Sequence, residues 1–196
     1  VGDNNGNIYR SYSTVNVSGG DDIGGLTGEN AGTILNSYSC GNVDGSDDTG
    51  GSIGFALATS ITNYTYSAGV VKGITSVGGF VGQDGTSGGG SAYYNFSYWD
   101  FEIAGGNYND TGDKGNVSGI YSNTTAQMKK QGTYTSLGWD FTNTWQIAED
   151  YSYPYFKWQS TPACGIPVPL STTPTGSGSG SNPNIEILSI GFNVNP

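Results

Sequence analysis

The sequence predicts an all-β protein: a short β-solenoid of stacked 26–28-residue coils, with a mixed aromatic cap, one short helix and a C-terminal tethered strand. Three observations lead there. Two phrases recur in step, the first as Gly24-Gly25-Leu26-Thr27-Gly28, Gly50-Gly51-Ser52-Ile53-Gly54 and Gly78-Gly79-Phe80-Val81-Gly82, the second around Tyr12, Tyr38 and Tyr66. Glycine supplies 34 of the 196 residues and charged residues only 11%, which is the composition of a turn-rich β chain. Apolar residues almost never recur at helical spacing.

Residues 1–100 carry the repeats. The step from Tyr12 to Tyr38 is 26 residues and from Tyr38 to Tyr66 it is 28, so the third unit has gained two residues. A period in the twenties means that each unit is one supersecondary element, unable to bury its apolar face unless it stacks on a neighbour. Apolar Ile34, Tyr38, Val43, Ile53 and Phe55 are interspersed with small and polar residues, which predicts two or three short strands per coil. Stacked coils then form parallel ladders about 4.8 Å apart, with Tyr12, Tyr38 and Tyr66 in register. The glycine pairs mark corners, where the backbone takes a positive φ or comes too close to the next coil for a Cβ. The first coil has no coil before it, so its strand edge is expected to be open.

The phrase Gly-Gly-apolar-x-Gly followed by Ile34-Leu35-Asn36-Ser37-Tyr38-Ser39-Cys40-Gly41-Asn42-Val43 resembles the GLUG repeat of bacterial and archaeal surface proteins. The unit Gly24–Gly51 matches best. The resemblance runs on through Ser97-Tyr98-Trp99-Asp100, Thr124-Thr125-Ala126-Gln127-Met128, Gly138-Trp139-Asp140-Phe141, Trp145-Gln146-Ile147 and Tyr153-Pro154-Tyr155-Phe156-Lys157-Trp158. It implies an extracellular β-solenoid of adhesins and surface fibres, without catalytic residues of its own.

Residues 101–160 form the aromatic capping region. Trp139, Phe141, Trp145, Ile147, Tyr155 and Trp158 are expected on strands that close the exposed end of the solenoid, with burial favoured over stacking on sugars. Thr124-Thr125 ahead of Ala126–Gln131, with Gly132 as a stop, reads as a short N-capped helix. Residues 161–184 are a Pro/Gly/Ser linker, most flexible in composition from Ser171 to Asn184. Beyond it, residues 185–196 are a candidate donor strand: Leu188, Ile190, Phe192 and Val194 alternate on one face, Ile185 and Ile187 on the other. A lone apolar strand after a tether needs a sheet, in its own domain, in a further domain or in the next molecule.

A net charge of −10, with no basic cluster, gives nucleic acid and anionic lipid nothing to attract them. No stretch approaches the roughly 18 apolar residues of a membrane span, and no charged-then-apolar signal opens the chain. Val1 falls inside a repeat, which reads as a mature or trimmed start. Six Asn-x-Ser/Thr sequons, at Asn16, Asn63, Asn95, Asn109, Asn116 and Asn123, are candidate N-glycan sites on an extracellular surface. Cys40 and Cys164, the two cysteines, read as a disulfide in that setting, with a buried small-residue slot as the alternative for Cys40.

The chain has no histidine, which removes the commonest general base and metal ligand. The acidic pairs Asp21-Asp22, Asp47-Asp48, Asp100-Glu102 and Glu149-Asp150 read as solvated turns before they read as sugar-cleaving carboxylates. Asn107, Asn109, Asp110 and Asp113 have the oxygen-rich look of a calcium loop, but without EF-hand spacing or a closing glutamate, so a plain Asn/Asp/Gly turn is the competing reading and no cofactor is expected. The function expected is a structural one: a glycosylated subunit of an extracellular fibre, bound head-to-tail to copies of itself by the C-terminal strand. The alternative is the stalk or carbohydrate-binding module of a cell-surface adhesin with surface glycans as partners; a polysaccharide-active enzyme comes third.

Overall fold

The computed structural model describes residues 1–85, 92–105 and 107–165, and the linker from Ser171 and the candidate strand Ile185–Asn195 lie outside them. Residues 1–100 wind into a β-solenoid with five short faces per turn, more than the two or three anticipated. The first ladder stacks Asp3–Asn4, Thr27–Asn30, Ile53–Ala56 and Val81–Asp84, and the second Asn7–Tyr9, Thr33–Leu35, Ile61–Asn63 and Tyr93–Asn95. The third runs Tyr12–Ser13, Tyr38–Ser39, Tyr66–Ser67, Ser97–Asp100, Ile120–Asn123. A fourth holds Val17–Ser18, Val43–Asp44 and Val71–Lys72, and a fifth Ile23–Gly24, Thr49–Gly50 and Val77–Gly78. All these pairings are parallel. The winding continues past residue 100, since Ile120–Asn123 adds a fifth rung to the third ladder.

The two- and three-residue strands alternate in and out, whereas in the four-residue rungs of the first ladder the first and fourth residues both face in. Inward columns such as Thr27–Ile53–Val81 and Ile34–Thr62–Tyr94 fill a narrow interior. Outward, Tyr12, Tyr38 and Tyr66 stack in register: Tyr12 and Tyr38 have ring centroids 5.1 Å apart, Tyr38 and Tyr66 5.0 Å apart and within 2° of coplanar. The rung spacing sets that stacking distance.

The glycine pairs split the reason given for them. Their backbones do not take the left-handed conformation; they are close approaches, and a Cβ on Gly50 would lie 2.0 Å from the carbonyl oxygen of Ile53 and 2.5 Å from the amide of Gly82. The left-handed corners belong instead to non-glycine residues: Arg10, Asn36, Tyr64 and Phe96 at one corner, with φ of 47°, 49°, 50° and 53°, and Asp22, Asp48 and Ser76 at another. Hydrogen bonds between coils hold the first corner, each amide donating to the coil above: Arg10 to Leu35, Asn36 to Asn63 and Tyr64 to Asn95. Neighbouring coils over-determine the strained conformation.

The aromatic segment does not close an end of the solenoid, as its sequence suggested; it lies along the side, over the tyrosine column. The reason is that stacked tyrosines leave a broad apolar face with a row of hydroxyls, which only a segment running parallel to the solenoid axis can bury. Met128, Tyr134, Trp139, Trp145, Tyr153 and Phe156 pack against Tyr38, Tyr66 and Tyr98 in one cluster. Each hydroxyl donates to the clamp: Tyr38 to Gln159 Oε1 at 2.9 Å, Tyr66 to the Pro154 carbonyl at 2.6 Å, and Tyr98 to the Thr133 carbonyl at 2.9 Å. Burial raises all three phenol pKa values. The corner residues grip the same segment, Arg10 donating to Thr144 Oγ1 and Trp145 Nε1 to Asn36 Oδ1.

Three short helices replace the single one expected: α1 Phe101–Ala104, α2 Thr125–Met128 and α3 Gln131–Thr135. Thr124 caps α2 in a full capping box with Gln127, but Gly132 sits inside α3 and stops nothing. The break at Lys129-Lys130 lets Met128 and Tyr134, six positions apart, both reach the core; in one continuous helix they would face apart. Trp145–Gln146 and Tyr155–Phe156 then form an antiparallel pair. Cys40 and Cys164 are bonded, 5.9 Å between Cα atoms, which pins the end of the clamp to the second coil. Closing a loop of 124 residues removes about 5 kcal/mol of unfolded-chain entropy in the loop-closure model.

Two alanine substitutions test the stacking. Gly50→Ala should cost about 3 kcal/mol or more, because the atoms nearest its Cβ are backbone and cannot swing aside. Gly20→Ala, with nothing within 4 Å, should change the urea midpoint little. Equal midpoints for the two variants would contradict the close approach of coils.

Candidate functional site

The two ends of the solenoid differ. In the column that begins Ser13, Ser39 and Ser67, the fourth rung carries Trp99, whose indole lies against Gly79 and donates Nε1–H to Asp110 Oδ1 at 2.7 Å. Below it the same column is polar and thin, Ser39 and Ser67 donating across the interior to the Gly51 and Gly79 carbonyls. Trp99, Phe80, Tyr94 and Ile120 thus plug the far end. Asp84, fully buried there, accepts from the Ala92 amide and the Tyr94 hydroxyl and faces Lys114 at 3.8 Å. Nothing in the sequence pattern marked Trp99 as a plug, beyond its standing where earlier units have serine.

At the near end the described ladders stop at the first coil, as at the far end they stop at Val81–Asp84, Tyr93–Asn95, Ile120–Asn123, Val71–Lys72 and Val77–Gly78. The amides of Glu29, Ala31 and Thr33 donate down to the carbonyls of Gly2, Asn4 and Gly6, whereas their first-coil counterparts Asp3, Asn5 and Asn7 donate to no lower coil among the described residues. The interior opens there as a mouth of about 730 Å³, lined by Val1, Ile8, Tyr12, Val17, Ile23 and Leu26. Val1 is 74% exposed, although Thr27, Ile53 and Val81 in its column are fully buried. Such an edge is a template for another strand.

Beside the mouth, Trp158 is 63% exposed, stacked 5.4 Å from Phe156 and tilted 44° against Tyr12 at 6.0 Å. With Thr14, Gln159, Ser160 and Thr161 it frames a shallow hollow of about 480 Å³. The sequence reading assigned Trp158 to the core.

The remaining candidates do not converge. Asp110 of the would-be calcium loop turns inward to Trp99 and the Val117 amide, while Asp113 accepts from the Asp84 amide. Asn107 and Asn109 stay at the surface. Among the described residues no three His, Cys, Asp or Glu side chains are placed to hold a metal. Asp100 caps α1 through the Glu102 and Ile103 amides and accepts from the Tyr153 hydroxyl at 2.6 Å; Glu102 accepts from the Thr125 amide, Glu149 from the Gln131 amide, and Asp150 pairs with Lys130. Of the sequon asparagines, Asn16, Asn95, Asn109 and Asn116 are exposed and Asn63 and Asn123 half-buried. Asn63 and Asn95 are neighbours on one ladder and share a hydrogen bond of 2.9 Å.

Asp21, Asp22, Asp47, Asp48 and Asp113 line one corner. Burial, then the Asp47, Asp22 and Asp113 charges, push Asp48 up to about 6 despite a Ser76 hydrogen bond; burial and the Asp21, Asp47 and Asp3 charges raise Asp22. Compared with known proteins, the chain matches no family model, no curated protein and no solved structure.

The corner predicts a pH dependence. A carboxyl with a raised folded pKa stabilises the fold below its unfolded pKa of about 4, and that contribution is lost as pH rises through about 6. Asp48→Asn keeps a residue suited to positive φ and removes the charge. Its melting temperature should exceed that of the parent at pH 7.5 and match it near pH 4. A parent advantage at pH 7.5 would refute the assignment.

Proposed function

We propose that this protein is a structural subunit of a glycosylated extracellular filament, assembled head-to-tail when the C-terminal strand of one copy completes the open first coil of the next. The observation that carries this reading is the difference between the two ends of the described solenoid, filled around Trp99 at one and lined by exposed Val1 and an apolar mouth at the other. A heterologous contact of that kind does not close on itself, so it propagates. Donating a strand also suits the sequence beyond residue 184, where alternating apolar residues follow a tether long enough to reach a neighbour. Exposed sequons and the Cys40–Cys164 bond fit an oxidising exterior, and the likeness of Gly24–Gly51 to GLUG repeats of surface proteins points the same way.

One observation favours a second reading. Exposed Trp158 beside Tyr12 and a polar rim resembles a sugar-stacking platform, which would suit the carbohydrate-binding module of an adhesin.

Removing residues 185–196 separates them. The full chain should form filaments visible by electron microscopy, and the truncated chain should stay a folded monomer by light scattering. Filaments from the truncated chain, or monomers from the full one, would overturn strand donation. Quenching of indole fluorescence by oligosaccharides, lost in Trp158→Ala, would support the adhesin module.

A further inference from the structure

Each rung of the first ladder is spelt alike. Val1-Gly2-Asp3-Asn4, Thr27-Gly28-Glu29-Asn30, Ile53-Gly54-Phe55-Ala56 and Val81-Gly82-Gln83-Asp84 share a β-branched, a glycine and an outward position, and the fourth is Asn, Asn, Ala or Asp. The glycine is dictated by space, since a Cβ on Gly54 or Gly82 would lie 2.3 or 2.2 Å from the carbonyl carbon of Asp22 or Asp48. The fourth position faces in and carries an amide ladder at the open end, Asn4 Nδ2 donating to Asn30 Oδ1 at 2.8 Å. Outside the described residues, Ser189-Ile190-Gly191-Phe192 repeats Ser52-Ile53-Gly54-Phe55 residue for residue, and Asn193 follows where Asn4 and Asn30 stand in their rungs.

We infer that Ile190-Gly191-Phe192-Asn193 of a neighbouring copy is the missing rung beneath Asp3–Asn4, parallel and in register. This address rests on the strand-donation reading above and sharpens it. Ile190 then lies beside Val1, covering a column that is buried in every later coil, and Asn193 extends the amide ladder by donating to Asn4 Oδ1. The Asp3 and Asn5 amides donate to the carbonyls of Gly191 and Asn193, as those of Glu29 and Ala31 do to Gly2 and Asn4 at 3.0 and 2.9 Å. Phe192 then faces outward beside Asp3, as Phe55 does beside Glu29, and leaves the face of Ile190 on which simple alternation had put it. We assign the occupant to a second copy on reach: the clamp is pinned by Cys164 to the second coil, and the chain that follows is far longer than a return to its own first coil needs. A return to that coil needs only a few residues, whereas residues 166–189 stretch to roughly 80 Å at about 3.3 Å each.

Cysteine pairing reads the address directly. Neighbouring strands lie about 4.8 Å apart, within the span of a disulfide, and positions 3 and 192 share the outward face. Full-length Asp3→Cys chains mixed with full-length Phe192→Cys chains should link under oxidation into a two-chain product, identified by non-reducing peptide mapping. Asp3→Cys mixed with Asn193→Cys should not link, because a one-residue slip turns the side chain to the other face. Filaments without the 3–192 bond, or with equal bonding in both mixtures, would overturn the register and leave strand donation standing. Linkage only within a single chain carrying both cysteines would place the strand in its own subunit and overturn the choice of a neighbour. Absence of filaments from the unsubstituted full chain would overturn the reading on which the address rests.

Discussion

The rest of the molecule depends on in-register parallel stacking of one coil upon the next. Stacking at the spacing of a β ladder brings like residue onto like residue, so each choice made in one unit is repeated through the body. Tyr12, Tyr38 and Tyr66 become a column because their strands pair Tyr12 with Tyr38 and Tyr38 with Tyr66. A column of outward tyrosines cannot face water at little cost, and the clamp from Met128 to Gln159 exists to cover it. The same constraint makes glycine obligatory where coils meet backbone to backbone, and holds Asn36 and Tyr64 in the left-handed region.

A parallel ladder never closes on itself, so stacking also creates two ends that must be dealt with separately. At one end the interior column changes from serine to Trp99, and Asp110 and Asp84 satisfy the polar groups that the plug buries. At the other, the described column ends on Val1, whose side chain is exposed beside an apolar mouth. The function we propose grows from that difference and not from any cluster of reactive side chains. The acidic residues near the surface serve as caps and corner residues, and their shifted protonation follows from burial and mutual repulsion.

Much of this was legible in the sequence, and the parts that were not have physical reasons. The 26- and 28-residue steps fixed the ladder and the tyrosine register, because a parallel stack turns sequence period into spatial neighbourhood. Five faces per coil were hidden, since strands of two residues are too short for alternation to show. Arg10, Asn36, Tyr64 and Phe96 share no chemistry that would announce a left-handed corner; inter-coil hydrogen bonds impose it. The aromatic richness of residues 139–158 signalled burial but gave no direction, so a lateral clamp and an end cap read alike. The expected helix ends early at Met128 and a second one runs through its expected stop, Gly132, so that Met128 and Tyr134 both reach one core, a tertiary demand with no local signature. The mouth beside Val1 and the exposed Trp158 next to it had no signal in the sequence.

Amide hydrogen exchange tests the central claim, that the first coil is an acceptor waiting for a strand. In a chain ending at residue 184, the amides of Asp3 and Asn5 should exchange far faster than those of Glu29 and Ala31, their counterparts one coil above. In the assembled full-length protein, all four should be protected alike. Slow exchange at Asp3 and Asn5 in the truncated chain, or fast exchange there in the assembled protein, would contradict the account.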